Sequence, residues 1–323
     1  MSRKGWLQFI TLCVIWGIPY LFIRIAMREL SPPSLILLRC APAALLLLPF
    51  ALRRDTVRRV LAAWPWVLTY TATEICVPWL LLNHAETRIS SSLAGLLVAM
   101  VPLIGIVLYR LAGEESHFDI RRLSGLFVGF AGVAALVGLD IGRTDALGIF
   151  EVTIVALGYA IGPLLISRRL HDVPPLGVVT ASLAITAAVY APWGIAVLPS
   201  SLSAQTIAAA AVLAVACTAV AFLVFFALIR EVGPARSTLV TYVNPLVAVL
   251  LGAAVLNESL TPGILIGTPL ILLGSLLGTA PSLHDKSSDG GKPPHDTGEK
   301  SQHDNRPQRD RPQRGQPSAE GSP

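Results

Sequence analysis

Ten stretches of mostly apolar residues follow one another between Gly5 and Ala280, joined by connections too short to fold on their own. A helix rises 1.5 Å per residue, so about 20 residues cross a hydrocarbon core ~30 Å thick. The windows run near Gly5–Ala26, Pro33–Leu52, Leu61–Asn83, Ile89–Leu111, Leu123–Leu139, Ala146–Ile166, Leu176–Leu198, Ile207–Ile229, Ala235–Leu256 and Thr261–Ala280. Lipid offers no partner for a backbone amide, and the alternation of a β-barrel strand is absent, so each window is expected to be a helix. The expected fold is an all-α integral membrane protein with ten transmembrane helices. Charged residues make up 14% of the chain, against roughly 25% in soluble domains. Residues 1–280 hold only 31 of them, which removes a soluble globular fold from consideration.

The distribution of Lys and Arg predicts orientation. The N-terminus and the connections after spans 2, 4, 6 and 8 carry 13 basic residues: Arg3, Lys4, Arg53, Arg54, Arg58, Arg59, Arg110, Arg121, Arg122, Arg168, Arg169, Arg230 and Arg236. The opposite connections carry three, Arg28, Arg88 and Arg143. Both termini are therefore expected in the cytoplasm, with the chain multi-pass in the plasma membrane. The first apolar run follows Arg3 and Lys4, but it contains Arg24 and lacks a small-residue cleavage site, so it reads as an uncleaved span.

Residues 281–323 are rich in Pro, Gly, Ser and Gln, with seven basic and seven acidic side chains and one aliphatic residue, Leu283. Such a tail has almost nothing to bury and is expected to be disordered. Its His284, His295 and His303 fit no metal-site spacing. Cys13, Cys40, Cys76 and Cys217 all lie in apolar windows and form no C-x-x-C pair, so they read as small buried hydrophobes. No metal and no cofactor is expected. The basic residues form no stripe with interleaved aromatics, which argues against nucleic acid as a partner.

An internal repeat emerges at an offset near 142–145 residues. Ser31-Pro32-Pro33 is echoed by Val173-Pro174-Pro175, Pro49 by Pro192, and Glu86 by Glu231. Pro102 precedes Glu115 by thirteen residues, as Pro245 precedes Glu258, and Gly125 and Gly132 match Gly267 and Gly274. Two halves are expected, 1–140 and 141–280, followed by the tail 281–323. Five spans per half is an odd number, so the second half would enter the bilayer inverted, an arrangement used by transporters.

Trp16-Gly17 in span 1, Pro32 with Arg39 in span 2, and the Pro102…Glu115 and Pro245…Glu258 signatures resemble the drug/metabolite transporter superfamily, EamA type. The resemblance covers residues 5–280. It implies ten helices, cytoplasmic termini, and export or exchange of small metabolites. The small four-helix multidrug members carry a carboxylate inside their first helix; span 1 here has none, so their cation-for-proton mechanism does not carry over.

An ionisable group near the bilayer centre costs about 2.5–3.5 kcal/mol even on lenient scales, so such groups are the first candidates for the transport pathway. Arg24 lies late in span 1, Arg39 early in span 2 and Glu74 in mid span 3. Arg39 and Glu74 lie ~9 Å and ~13 Å from the same membrane face at helical rise, close enough to meet if the helices adjoin. They read either as a buried structural pair or as groups that touch substrate or carry a proton. Arg24 is shallow enough to snorkel. The counterparts of these three in the second half are uncharged, so the site is expected to be chemically lopsided.

Trp16, Tyr20, Trp79, Tyr159, Tyr242 and Asn244 are polar-edged candidates for lining a cavity, or ordinary interfacial anchors. Pro102 and Pro245 are candidate helix breaks. Gly125-x-x-x-Gly129, Gly263-x-x-x-Gly267 and Gly274-x-x-x-Gly278 allow close helix approach, within the chain or across a homodimer.

No Walker A loop, H-E-x-x-H or G-x-S-x-G motif is present, so direct ATP drive and hydrolysis are not expected, and the chain does not read as an enzyme. The reading is a secondary transporter, an exporter of small polar, amino-acid-like or drug-like metabolites, coupled to protons or exchange. Its rivals are an importer or exchanger of small organic anions using Arg39 and Arg24 as a carboxylate clamp, and a non-transporting membrane protein.

Overall fold

The computed structural model describes residues 2–111, 113, 120–138, 145–232, 237 and 240–279. The tail from 281 onward, Glu115, Arg143, Arg236 and the side chain of Tyr242 lie outside the described residues.

Thirteen helices, and no strand, occur among the described residues. They are α1 Arg3–Gly17, α2 Pro19–Ala26, α3 Pro32–Ala51, α4 Arg54–Ala62, α5 Trp64–Ala85, α6 Ser91–Val98, α7 Val101–Leu111, α8 Ile120–Gly138, α9 Ala146–Arg169, α10 Pro175–Ala196, α11 Ala204–Val232, α12 Val240–Leu256 and α13 Pro262–Thr279. Side-chain caps begin many of them. Ser31, Ser90, Asp145 and Ser203 accept from backbone amides of the turns they open, and proline at the first helical position pre-sets α3, α10 and α13. Asp145 is also held by Arg88 at 2.8 Å, and that hydrogen bond keeps its carboxyl below the usual range.

Six helical stretches are long and apolar enough to cross a membrane, or seven if α4 and α5 count as one bent span. The shorter apolar segments Leu123–Leu136, Val243–Leu256 and Pro262–Leu277 accompany them. Helix boundaries fall within a few residues of the predicted windows, with three departures.

The first departure is that the third window is not one rod. Its first two residues, Leu61 and Ala62, end a separate helix, α4, that begins at Arg54 in the preceding connection, and the chain turns through 82° at Ala63 before α5 begins. The second is a set of breaks that hydropathy does not report. The first window divides at Ile18, where Pro19 starts a new helix, and the fourth divides after Val98, with Pro102 at the second position of α7. A π-turn occupies Thr71–Cys76 of α5, ahead of Pro78, and another occupies Val215–Val220 of α11. Proline lacks the N–H that an α-helical ladder needs, which accounts for the breaks at Pro19 and Pro102 and for the first π-turn. Nothing in the local sequence explains the second. The third departure is Pro245. It lies inside the uninterrupted helix α12 and breaks nothing.

The helices pack around four apolar clusters among the described residues, two of them large. One gathers residues of α2, α5, α6, α9 and α11, and the other joins α3, α5, α10 and α11. Tyr159 of α9 packs against both. The most extensive helix pairs are α8 with α13 and α3 with α10. In the first pair the backbones nearly touch. A Cβ on Gly274 would collide with the backbone of Gly129, and one on Gly132 would lie 2.7 Å from the amide nitrogen of Ile271. The small-residue stripes around Gly129, Gly267 and Gly274 are thus used inside the chain.

Candidate functional site

Arg39 lies two turns into α3 and is only 7% exposed. Its Nε donates to Thr218 Oγ1 at 2.9 Å, and its guanidinium carbon lies 3.7 Å from the ring centroid of Trp79. Thr218 is presented by the π-turn of α11. Its hydroxyl donates to the Leu213 carbonyl five residues back, at 2.8 Å, so its lone pairs remain for Arg39. A desolvated cation over indole contributes about 2 kcal/mol. No carboxylate among the described residues pairs with this guanidinium.

Glu74 sits in the other π-turn. Its Oε2 is fully covered and has no hydrogen-bond partner among the described residues. The carboxylate rests against α9 at Gly162, where a Cβ would overlap it. One turn earlier, a Cβ on Gly158 would strike the Thr73 carbonyl. These two glycines let the α9 backbone close on the π-turn, and Tyr159 between them packs against the cluster that holds Cys40, Ile75 and Trp79. The Tyr190 hydroxyl of α10 donates to the Cys76 carbonyl at 3.0 Å, holding the far end of the turn. The structural-pair reading is therefore corrected: Arg39 and Glu74 form no ion pair. Thr218 and Trp79 take the guanidinium, while Gly162 receives the carboxylate.

The other candidates divide. Trp79 and Tyr159 belong to this site. Trp16 packs on Phe225 and Phe222, with centroids 4.9 and 6.1 Å away, and serves the α1–α11 contact. With its amide nitrogen turned inward, Asn244 donates to the carbonyls of Val240 and Cys13 at 3.0 and 3.2 Å, tying α12 to α1. Arg24 donates to the backbone carbonyls of Glu86 and Ile89, so it stabilises the turn after α5 rather than joining Arg39 in a clamp.

A second polar cluster lies at that turn, and the sequence reading missed it. Asn257 adopts a left-handed φ of 55° after α12, and the Glu258 amide donates to the Gly252 carbonyl six residues back, which closes the end of the helix. The turn aims the Glu258 carboxylate at the N-terminus of α6. There it accepts from Ser91 N at 2.8 Å, Ser92 N at 3.0 Å and Ser92 Oγ at 2.6 Å. The helix dipole favours an anion at this position.

Ser91 Oγ lies 2.8 Å from Glu86 Oε2 and 3.2 Å from the Tyr20 carbonyl. Glu86 is completely buried, and burial pushes its carboxyl well above the usual range. A cavity of about 390 Å³ beside the cluster is lined by Arg24, Arg28, Glu86 and Glu258, among others.

Glu86 and Glu258 lie in connections, where hydropathy carries no sign of burial. Glu151 was legible. It stands five residues into α9 in an apolar run, is 7% exposed, and meets His84 Nδ1 at 2.7 Å.

Glu258→Ala should lower stability by about 2 kcal/mol, since a hydrogen bond to a charged group contributes about 1.5–3 kcal/mol and the three share one carboxylate. Melting in detergent reads this, and an unchanged melt would mean that the clamp adds nothing to the fold.

Buried ionisable groups among long apolar helices, two of them presented by π-turns, define a multi-pass membrane protein. A model of the EamA-like transporter family matches residues 3–138 and 146–279, and the chain belongs to that family. It is 28% identical over 303 residues to the uncharacterized inner membrane transporter YedA of Escherichia coli K12, covering 86% of this chain and 95% of that one. An uncharacterized transporter of Archaeoglobus fulgidus is 23% identical over 279 residues, covering 84% and 97%. A solved crystal structure shares the fold, with a TM-score of 0.60 at 18% identity over 86% of this chain and 97% of that one. The protein is a transporter of the EamA-like family, and small solutes and membrane lipid are its partners.

Proposed function

We propose that the protein exports small zwitterionic, amino-acid-like metabolites by alternating access between two inverted five-helix repeats, residues 1–140 and 141–280. The observation that carries the substrate class is the pair Arg39 and Glu74. They adjoin the cluster on which Tyr159 packs, are of opposite charge type, and neither is consumed by the other. Arg39 suits a carboxylate and Glu74 an ammonium group, and their separation gives the solute a direction.

Several features support the ten-span, inverted architecture. The six long spans, the bent α4–α5 pair and the three shorter apolar helices make ten. The two family matches fall one in each half. The π-turns of α5 and α11 stand at the repeat offset. Packing of α9 on α5 is mirrored by α1 on α11, and packing of α9 on α6 and α7 by α12 on α1 and α2.

In this reading the 13-to-3 bias in basic residues sets both termini in the cytoplasm of the plasma membrane. The Glu258 clamp then closes the outer side, and its release would open it.

Counterflow in proteoliposomes tests the proposal. Vesicles loaded with an unlabelled amino acid should accumulate the labelled one, and acids without an amine should compete at least about tenfold more weakly, the equivalent of one charge-assisted contact. Equal competition by simple carboxylates would favour the organic-anion exchanger instead, the reading that an Arg39 without a carboxylate partner also allows.

A further inference from the structure

We propose that the outward face of α4 is a binding site for an anionic glycerophospholipid. The site rests on the membrane reading above but not on the identity of the solute.

α4 has two different faces. Thr56 is buried, and its methyl occupies the space where a Cβ on Gly177 of α10 would go; Val60 packs beside it. Arg59 Nη1 donates to the Asp172 carbonyl at 2.8 Å. This face is docked. The opposite face presents Arg54, Val57, Arg58 and Leu61, which with Leu52 line a surface groove of about 460 Å³. Leu52 and Leu61 are 60% and 65% exposed, a poor arrangement in water. Neither Arg54 nor Arg58 forms a hydrogen bond or ion pair among the described residues.

The pattern selects the occupant. Arg54 and Arg58 are one helical turn apart, so their guanidinium groups can take one phosphodiester from two sides. Leu52, Val57 and Leu61 offer apolar surface to an acyl chain beside them. Along the chain, the exposed apolar residues Leu45, Leu48 and Phe50 of α3 precede the groove, and the exposed Trp64 and Trp66 at the start of α5 follow it. A helix turned 82° from the following span, with basic and apolar side chains on one face, has the form that lies at the headgroup boundary. Each basic residue near an anionic leaflet adds attraction that zwitterionic lipid cannot supply.

Native mass spectrometry of the full chain, titrated with phosphatidylglycerol or phosphatidylcholine of identical acyl chains, tests the site. We expect at least about fivefold more bound phosphatidylglycerol, a preference that Arg54→Gln/Arg58→Gln reduces below about twofold and that the control Arg121→Gln retains. No preference in the wild type, or an equal loss in the control, overturns the proposal. A chain ended after Ser282 should keep the wild-type preference. A several-fold gain in lipid would instead make the tail the occupant of the groove and overturn the proposal. Photo-crosslinking needs no variant: phosphatidylglycerol with a headgroup-proximal photoreactive group should label residues 52–61 of the wild type, and labelling confined to other segments would likewise overturn it.

Discussion

Arg39→Gln is expected to reduce transport at least about tenfold while lowering detergent stability by no more than the ~2 kcal/mol of the Trp79 contact, a loss that relief of the buried charge offsets. A contact between a guanidinium and a carboxylate is worth about 1.5–3 kcal/mol, so its loss from the solute-bound state accounts for the fall in transport. The stability expectation follows from the missing ion pair. Removing one member of a buried pair usually costs ~3–5 kcal/mol because the partner is stranded, but here no carboxylate is left behind. Glutamine can still donate to Thr218 Oγ1, which lies 2.9 Å from Nε in the wild type.

Glu74→Gln should behave in parallel, because its Oε2 has no partner to lose among the described residues. The two variants should fail differently. Arg39→Gln should lose the discrimination between an amino acid and its ester, and Glu74→Gln that between an amino acid and its deaminated acid. The measurement is a four-member mutant cycle scored for vesicle transport and thermal stability. Full transport by Glu74→Gln at wild-type pH dependence would remove this residue from the mechanism. Large destabilisation of both single variants, rescued in the double, would restore the structural pair.

Gly274→Leu is expected to abolish folding into the membrane, with the yield of monodisperse protein down by most of its value. The absent Cβ of Gly274 would collide with the amide nitrogen and Cα of Gly129, and backbone cannot rotate aside as a side chain can. Overpacking by added methylenes costs about 1–3 kcal/mol where side chains can yield, and a main-chain obstacle should exceed that range. Gly105→Leu is the matched control, since nothing lies within 4 Å of a Cβ there. Size-exclusion profiles after solubilisation give the answer. If Gly274→Leu folded well but shifted from dimer to monomer, the stripe would be a seam between chains and the intrachain contact of α8 with α13 would be wrong.

The places and approximate ends of the apolar helices were legible because lipid imposes one requirement on every spanning segment, and hydropathy over about 20 residues measures it directly. Family membership was legible for a related reason: proline, glycine and acid positions recur at a constant offset that a single segment would not reveal. Arg39 and Glu74 stood out by the same logic, as charges where charge is costly. Hydropathy could not register α4 as a separate helix, because Leu61 and Ala62 blend into the apolar run of Trp64 onward.

What the amino-acid sequence determined by itself is thus the local part: which segments must be helical and which ionisable groups lie in apolar surroundings, whereas proline alone did not mark the breaks, since Pro102 stands at one and Pro245 inside an unbroken helix. Only the tertiary structure decided which groups meet. It set Arg39 of α3 on Thr218 and Trp79, two residues 179 and 40 positions away, and left Glu74 to Gly162 of α9. It also buried Glu86 and brought Glu258 onto the amides of Ser91 and Ser92. The reason is physical. Hydropathy and helix-breaking act along the chain within a turn or a window, whereas hydrogen bonds and close packing act over 3–4 Å between helices, whose rotation and depth are settled only when all of them pack together.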